Sequence, residues 1–213
     1  MNIAEGHITF QKKGRYFTYG SAEDGKDLLI VLHGYGYLAK YFIKKFEAVN
    51  TDRFFVICPE GLHRFYHSGT NGRVGASWMT KEDRLNDIED YVCFLNELLR
   101  DFKSRYQFNT VTLLGFSQGG ATACRWLAYG NHSFDKFILW ATVFPPDMEK
   151  EYNEKFKHSS NFFVFGTEDE YYSEDMINSH FEELKSKEIP FKMIKFEGKH
   201  TIDSKTLLTI LHD

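Results

Sequence analysis

The sequence predicts an α/β fold built on a mostly parallel, doubly wound sheet, and three observations carry that prediction. Unbroken apolar runs recur at Leu28 to Leu32, Phe54 to Cys58, Val111 to Leu114, Phe137 to Ala141 and Phe162 to Phe165, as strands buried on both faces require. Amphipathic helical patterns alternate with these runs, which implies right-handed crossovers between parallel strands. The length, 213 residues with 42% hydrophobic content, suits one domain over residues 1–213 with a sizeable core.

At the start of the chain, His7 to Gln11 and Arg15 to Tyr19 alternate in character around Lys12-Lys13-Gly14, which predicts an N-terminal antiparallel hairpin at a sheet edge. The clearest helix runs from about Lys81 to Tyr106, where Leu85, Ile88, Val92, Leu95, Leu99 and Phe102 recur at spacings of three and four. Thr80, with Asp83 three residues on, is its expected cap. Shorter helices are predicted at 39–49, 119–129, 147–157, 174–187 and 204–212, and the alternating Phe191 to Phe196 adds a late strand. The stretch 59–79 has no assignable element, and unassigned segments of this length in a compact domain often carry function.

Composition removes several classes of function. The formal net charge is −4, from 26 basic and 30 acidic residues dispersed along the chain, so no basic stripe offers itself to nucleic acid. The N-terminus has no basic and apolar leader pattern, and no run approaches the 18 or so apolar residues of a membrane span; a soluble, cytoplasmic protein is expected. Cys58, Cys93 and Cys124 form an odd set without CxxC spacing and read as buried free thiols in a reducing compartment.

The chemistry is suggested by Gly115-Phe116-Ser117-Gln118-Gly119, which follows an apolar strand and precedes the small-residue stretch Gly120 to Ala123. That is the setting of a nucleophile elbow, where a strained serine at a sharp turn leaves little room for neighbouring side chains. With 16 glycines in the chain, composition alone would produce a GxSxG pattern only about 0.07 times, so its placement between strand and helix carries weight. A serine nucleophile needs a base, and His200, in the loop between the last strand and the last helix, lies where an open sheet gathers its reacting groups. An acid must orient that base. Gly166-Thr167-Glu168-Asp169-Glu170 supplies candidates in Glu168 and Asp169, with Asp175 just beyond. Oxyanion donors are expected from the backbone amides of Gln118 and of Tyr35 in the turn Leu32-His33-Gly34-Tyr35-Gly36.

Together, Leu32 to Gly36, Gly115 to Gly120, Gly166 to Asp169 and Gly198-Lys199-His200 resemble the phospholipase/carboxylesterase family of α/β hydrolases, which includes the acyl-protein thioesterases. The resemblance covers residues 28 to 212 and implies the α/β-hydrolase fold with no large cap domain, since 52 residues separate Ser117 from Asp169 and 31 separate Asp169 from His200. It implies Ser117 as nucleophile, His200 as base and Asp169 as orienting acid, with no metal or organic cofactor. Trp78 and Met79, in a segment similar to the family's tryptophan-containing acyl-pocket stretch, and Phe144 are the expected substrate-binding residues. Three segments depart from the family pattern: the acid motif has neither its leading histidine nor its valine-proline, Tyr37 replaces the aspartate of LHGLGD, and Ala141 to Pro146 replaces a glycine-containing turn. The activity so implied is hydrolysis of small-molecule carboxylic esters with short to medium apolar acyl groups. A thioesterase or lysophospholipase would use the same triad on another leaving group, and a catalytically silent ligand-binding domain would keep the fold.

Overall fold

The computed structural model describes every residue except Glu149. Seven strands form one sheet in the order β1-β3-β2-β6-β7-β8-β9. They are β1 (Tyr16–Tyr19), β2 (Asp27–Leu32), β3 (Phe54–Pro59), β6 (Val111–Phe116), β7 (Lys136–Trp140), β8 (Ser160–Gly166) and β9 (Lys192–Phe196). All neighbouring pairs are parallel except β1 with β3. Strands β2, β3 and β6 are buried along their whole length, as their unbroken apolar runs require. The order runs outward from β2 in both directions, so helices cover both faces. Two apolar clusters result, one holding Leu28, Leu95, Trp126 and Phe163, the other Val31, Phe42, Phe116 and Trp140.

The N-terminal hairpin expected from the alternation of residues 7–19 does not form. Residues 7–11 take no strand, and β1 instead pairs antiparallel with β3, Tyr16 opposite Pro59 and Tyr19 opposite Val56. The reason is burial: residues 1–16 are exposed, so a hairpin there has no face to cover, whereas the open edge of β3 presents a ladder. Buried Glu60, just beyond β3, accepts hydrogen bonds from Arg15 Nε at 2.9 Å and Arg64 Nε at 2.8 Å, which ties that edge together.

Conversely, the unassigned stretch 59–79 contains a two-stranded antiparallel hairpin, β4 (His63–Ser68) and β5 (Asn71–Ser77), outside the main sheet. The predicted helix at 39–49 is α1 (Ala39–Phe42) continued by a 3-10 turn over Ile43–Phe46. The one predicted at 147–157 is a 3-10 segment, Lys150–His158, and Glu149 within that prediction lies outside the described residues.

The long helix α2 (Arg84–Arg105) starts later than its expected cap. Asp83 takes a left-handed backbone with φ 50°, and the Thr80 side chain bonds within its own turn instead of capping. Leu85, placed on the apolar face by periodicity, is exposed, while Ile88, Val92, Leu95, Leu99 and Phe102 are buried. Helices α3 (Gln118–Tyr129), α4 (Glu174–Ser186) and α5 (Ser204–His212) stand within a residue of expectation. Cys58 and Cys124 are buried free thiols, but Cys93 is exposed on α2, since its position points away from the sheet. No helix among the described residues is long and apolar enough to cross a membrane.

The core makes a direct demand on stability. Phe137 on β7 is fully buried, with ring contacts at 5.6 Å to Phe156 and 6.1 Å to Phe191. Phe137→Ala leaves a cavity and is expected to cost about 3–5 kcal/mol of unfolding free energy. Urea denaturation measures it, and a loss under about 1 kcal/mol would contradict this account of the core.

Candidate active site

Strand β6 ends in Phe116 and helix α3 begins at Gln118, leaving Ser117 alone at the corner with φ 53° and ψ −123°. A non-glycine residue at positive φ is strained and persists only where the surroundings over-determine it. Here Ser117 N–H donates to Trp140 O at 2.9 Å, while Ser117 O accepts from Gly120 N–H at 2.8 Å. The glycines follow from close approach. A Cβ on Gly119 would stand 2.6 Å from His33 O and nearer still to Leu32 O, and one on Gly115 would stand 2.8 Å from Ala123 Cβ. This packing sets the start of α3 directly against the carboxyl end of β2.

The turn after β2 faces the elbow. A Cβ on Gly34 would come to 3.1 Å from Ser117 Cβ, so Tyr35 follows immediately beside the serine. The Gln118 amide, in the first residue of α3, has no acceptor within its own helix. Its side chain anchors the neighbouring loop: the amide oxygen accepts Trp78 N–H at 3.2 Å and the amide nitrogen donates to Met79 O at 2.9 Å.

His33 supports the same turn from below. Its Nδ1–H donates to Gly34 O at 2.8 Å, and Nε2 accepts Gly61 N–H at 2.9 Å. Its carbonyl takes the Trp78 indole N–H at 2.8 Å. Burial disfavours the charged imidazole and lowers its pKa from 6.5 to about 4, so the ring is neutral in this network. Hairpin β4–β5 straps the turn from above. Gly36 N–H donates to Ala76 O at 2.9 Å, His67 Nε2 lies 3.0 Å from Gly36 O, and Phe65 stacks on Tyr35 with ring centres 5.1 Å apart.

On the opposite side, the loops after β8 and β9 bring Asp169 and His200 together, Oδ2 to Nδ1 at 2.7 Å. The other carboxylate oxygen, Oδ1, accepts backbone N–H groups from Tyr171 at 2.9 Å and Tyr172 at 3.3 Å. The Asp169 side chain is completely buried, so both oxygens are bonded where water cannot reach them. With Nδ1–H given to Asp169, Nε2 is left with its lone pair. The loops touch closely enough that a Cβ on Gly166 would stand 2.8 Å from the Gly198 carbonyl carbon. The His200 ring lies 4.9 Å from that of Phe116, the residue before Ser117. The serine hydroxyl has no hydrogen-bond partner among the described residues. Glu168 and Asp175, the other acids considered from the sequence, make no hydrogen bond to His200 among the described residues.

Of the residues expected to hold the acyl group, Trp78 and Phe144 are buried and Met79 is half-buried. Trp78 is fully buried, 5.2 Å from the His33 ring and 6.2 Å from Tyr91, and supports the turn after β2. Phe144 is buried against Phe156 at 5.1 Å, and its N–H donates to His180 Nε2 at 2.6 Å. Met79 is half-buried, its sulfur facing Arg125. Aspartate 147 joins Arg84 at 2.6 Å and Arg125 at 2.8 Å, pinning the loop that carries Phe144 to α2 and α3. Two surface cavities, of about 420 and 450 Å³, are lined by Leu85, Val92 and Tyr129 and by Lys136, Asn161 and Lys192; neither includes Ser117, Asp169 or His200. Phe65, expected from the sequence among the aromatic residues that favour an apolar acyl group, stacks on Tyr35, while the contributions of His67 and Tyr171 escaped the sequence reading. The alternation His63, Phe65, His67 followed by the turn residues Ser68-Gly69-Thr70-Asn71-Gly72 is the signal that locates His67.

A parallel sheet with a strained serine between strand and helix, faced by a histidine–aspartate pair from later loops, defines the class of α/β hydrolases. A model of the alpha/beta hydrolase fold matches residues 27–175, and the chain belongs to that family. No curated protein matches it. Among solved structures it is similar to esterase PE8, at 20% identity over 93% of this chain and 96% of that one, with a TM-score of 0.67. Zea mays acyl-protein thioesterase 2 aligns at 15% identity over 94% and 97%, with a TM-score of 0.71. The Bacillus cereus carboxylesterase aligns at 17% over 93% and 94%, with a TM-score of 0.65.

The His33 arrangement makes stability depend on pH. The folded protein holds the imidazole neutral down to about pH 4, whereas the unfolded chain protonates near 6.5, so the unfolded state binds more protons between those values. Stability from this site is therefore complete above pH 6.5 and is lost as pH falls toward 4, by about 3 kcal/mol. NMR titration of the folded protein is expected to place the His33 midpoint near 4; a midpoint near 6.5 would show that its network is not as described.

Proposed function

We propose that this chain is a cytoplasmic serine hydrolase that cleaves carboxylic esters through an acyl-enzyme intermediate. The observation that carries the reading is the buried Asp169–His200 pair at 2.7 Å beside the strained Ser117 elbow. Membership of the alpha/beta hydrolase fold family and the esterase and thioesterase names among the structural neighbours support it. Buried Cys58 and Cys124, left as free thiols, suit a reducing compartment.

In this reading Ser117 Oγ attacks the ester carbonyl carbon while His200 Nε2 takes its proton, and Asp169 holds the imidazole in the needed tautomer and stabilises the imidazolium. The tetrahedral oxyanion accepts the Tyr35 and Gln118 N–H groups. Collapse breaks the bond to the leaving oxygen, which receives the proton from His200. Water then attacks the acyl-enzyme, gives one proton to His200 and expels Ser117, which recovers that proton as the free acid departs. Nothing in these steps calls for a metal or an organic cofactor. Burial of Trp78 and Phe144 favours a short acyl group, because neither ring offers a surface to a longer chain.

Fluorophosphonate labelling tests the assignment: wild-type protein is expected to label and Ser117→Ala not to, and equal labelling of both would sink it. On a short-chain ester, Ser117→Ala is expected to lower kcat roughly 10⁶-fold. Asp169→Asn should lower it roughly 10⁴-fold by imposing the wrong tautomer, so a full-rate Asp169→Asn enzyme would show that another group orients His200.

A further inference from the structure

His200 returns its proton to the leaving oxygen, so under the esterase reading the leaving group must depart past the exposed surroundings of that imidazole. Tyr171 stands there. Its ring centre lies 4.7 Å from the His200 ring at an interplanar angle of 63°, yet 66% of the residue is exposed. An aromatic side chain so placed is held without being consumed by packing. Its N–H is bonded to Asp169 Oδ1, which places the ring on the same rigid turn that orients the base. Across the elbow, Tyr35 is also more than half exposed and is already stacked on Phe65, so the open aromatic face on the base side belongs to Tyr171.

Charge narrows what that face can receive. The same loop carries Glu168, Asp169 and Glu170, and Glu170 Oε2 accepts the His200 N–H at 3.4 Å. Two lysines oppose these three carboxylates, Lys199 acting on Glu170 and Lys45 reaching Thr201 Oγ1 at 3.0 Å, which leaves the acids in excess. A leaving group bearing a phosphate would enter a locally negative field, whereas an uncharged ring would meet only the phenol face.

We propose that Tyr171 is the leaving-group platform of this site, selecting esters of alcohols that present an uncharged planar ring. This rests on the serine-esterase reading above. A ring stacked on a preorganised tyrosine gains binding without further ordering of the protein, so the preference is expressed through KM.

The test compares benzyl acetate, butyl acetate and 1-acetylglycerol 3-phosphate on wild-type protein, Tyr171→Ala and Tyr171→Phe. Wild type is expected to favour benzyl over butyl acetate in kcat/KM and to use the phosphate ester worst. Tyr171→Ala should reduce the benzyl-to-butyl ratio roughly five-fold, through KM, while Tyr171→Phe keeps it. Equal loss on both neutral esters in Tyr171→Ala would assign the ring a merely structural role beside His200 and overturn the proposal. So would a wild-type enzyme with no preference for the ring, or one that prefers the phosphate ester. Wild-type protein that neither labels with fluorophosphonate nor cleaves any of the three esters would instead overturn the esterase reading itself.

Discussion

The site depends on how tightly the start of α3 is driven against the end of β2. Gly119 lies so near the Leu32 and His33 carbonyls that any side chain there would collide with backbone, which cannot move without parting the sheet. That contact brings two distant parts of the sequence together, the Ser117-Gln118 corner and the Gly34-Tyr35 turn, where a Cβ on Gly34 would come to 3.1 Å from Ser117 Cβ. It also accounts for the left-handed backbone at Ser117. The chain must reverse from strand to helix in one residue, and the strain, of order 1–3 kcal/mol, is offset by the packing of β6 and α3 on either side.

Around this contact the protein builds two supports of different kinds. Beneath the turn after β2, a buried neutral histidine, a fully buried tryptophan and the half-buried Gln118 side chain are joined by hydrogen bonds to one another and to the turn. Buried hydrogen bonds of this sort are stiff because breaking one leaves an unpaired group. On the other side, the Asp169 carboxylate is bonded at both oxygens and the His200 ring contacts those of Phe116 and Tyr171. Under the proposed serine-hydrolase reading, one side aligns donors for developing negative charge and the other a proton acceptor. Both are fixed by contacts that exist before any substrate arrives.

Legibility in the sequence follows burial. The central strands could be read because a strand covered on both faces is apolar at nearly every position, and β2, β3 and β6 are, with Asp27 and Thr112 as buried polar exceptions. Edge elements carry weaker constraints. Residues 7–11 alternate as a strand would, yet have no face to cover, while β4 and β5 pair through backbone and a few aromatic contacts that leave little apolar pattern. Trp78 and Phe144 illustrate the same limit from the other direction. Aromatic residues near a reacting serine can line a cleft or brace the backbone beneath it, and their identity alone does not distinguish the two.

The parallel sheet, the elbow at Ser117, the late loops that carry Asp169 and His200 and the HGYG turn are all legible along the chain, because each is a local requirement of strand burial, glycine-permitted close approach or chain order. Which carboxylate meets His200 depends on folding, since Glu168, Asp169 and Asp175 are chemically alike and differ in where the turn after β8 points them. So do the bracing of the turn after β2 by Trp78, its strapping by a hairpin and the open position of Tyr171 beside His200. Those are contacts between segments far apart in the chain, and no local pattern records them.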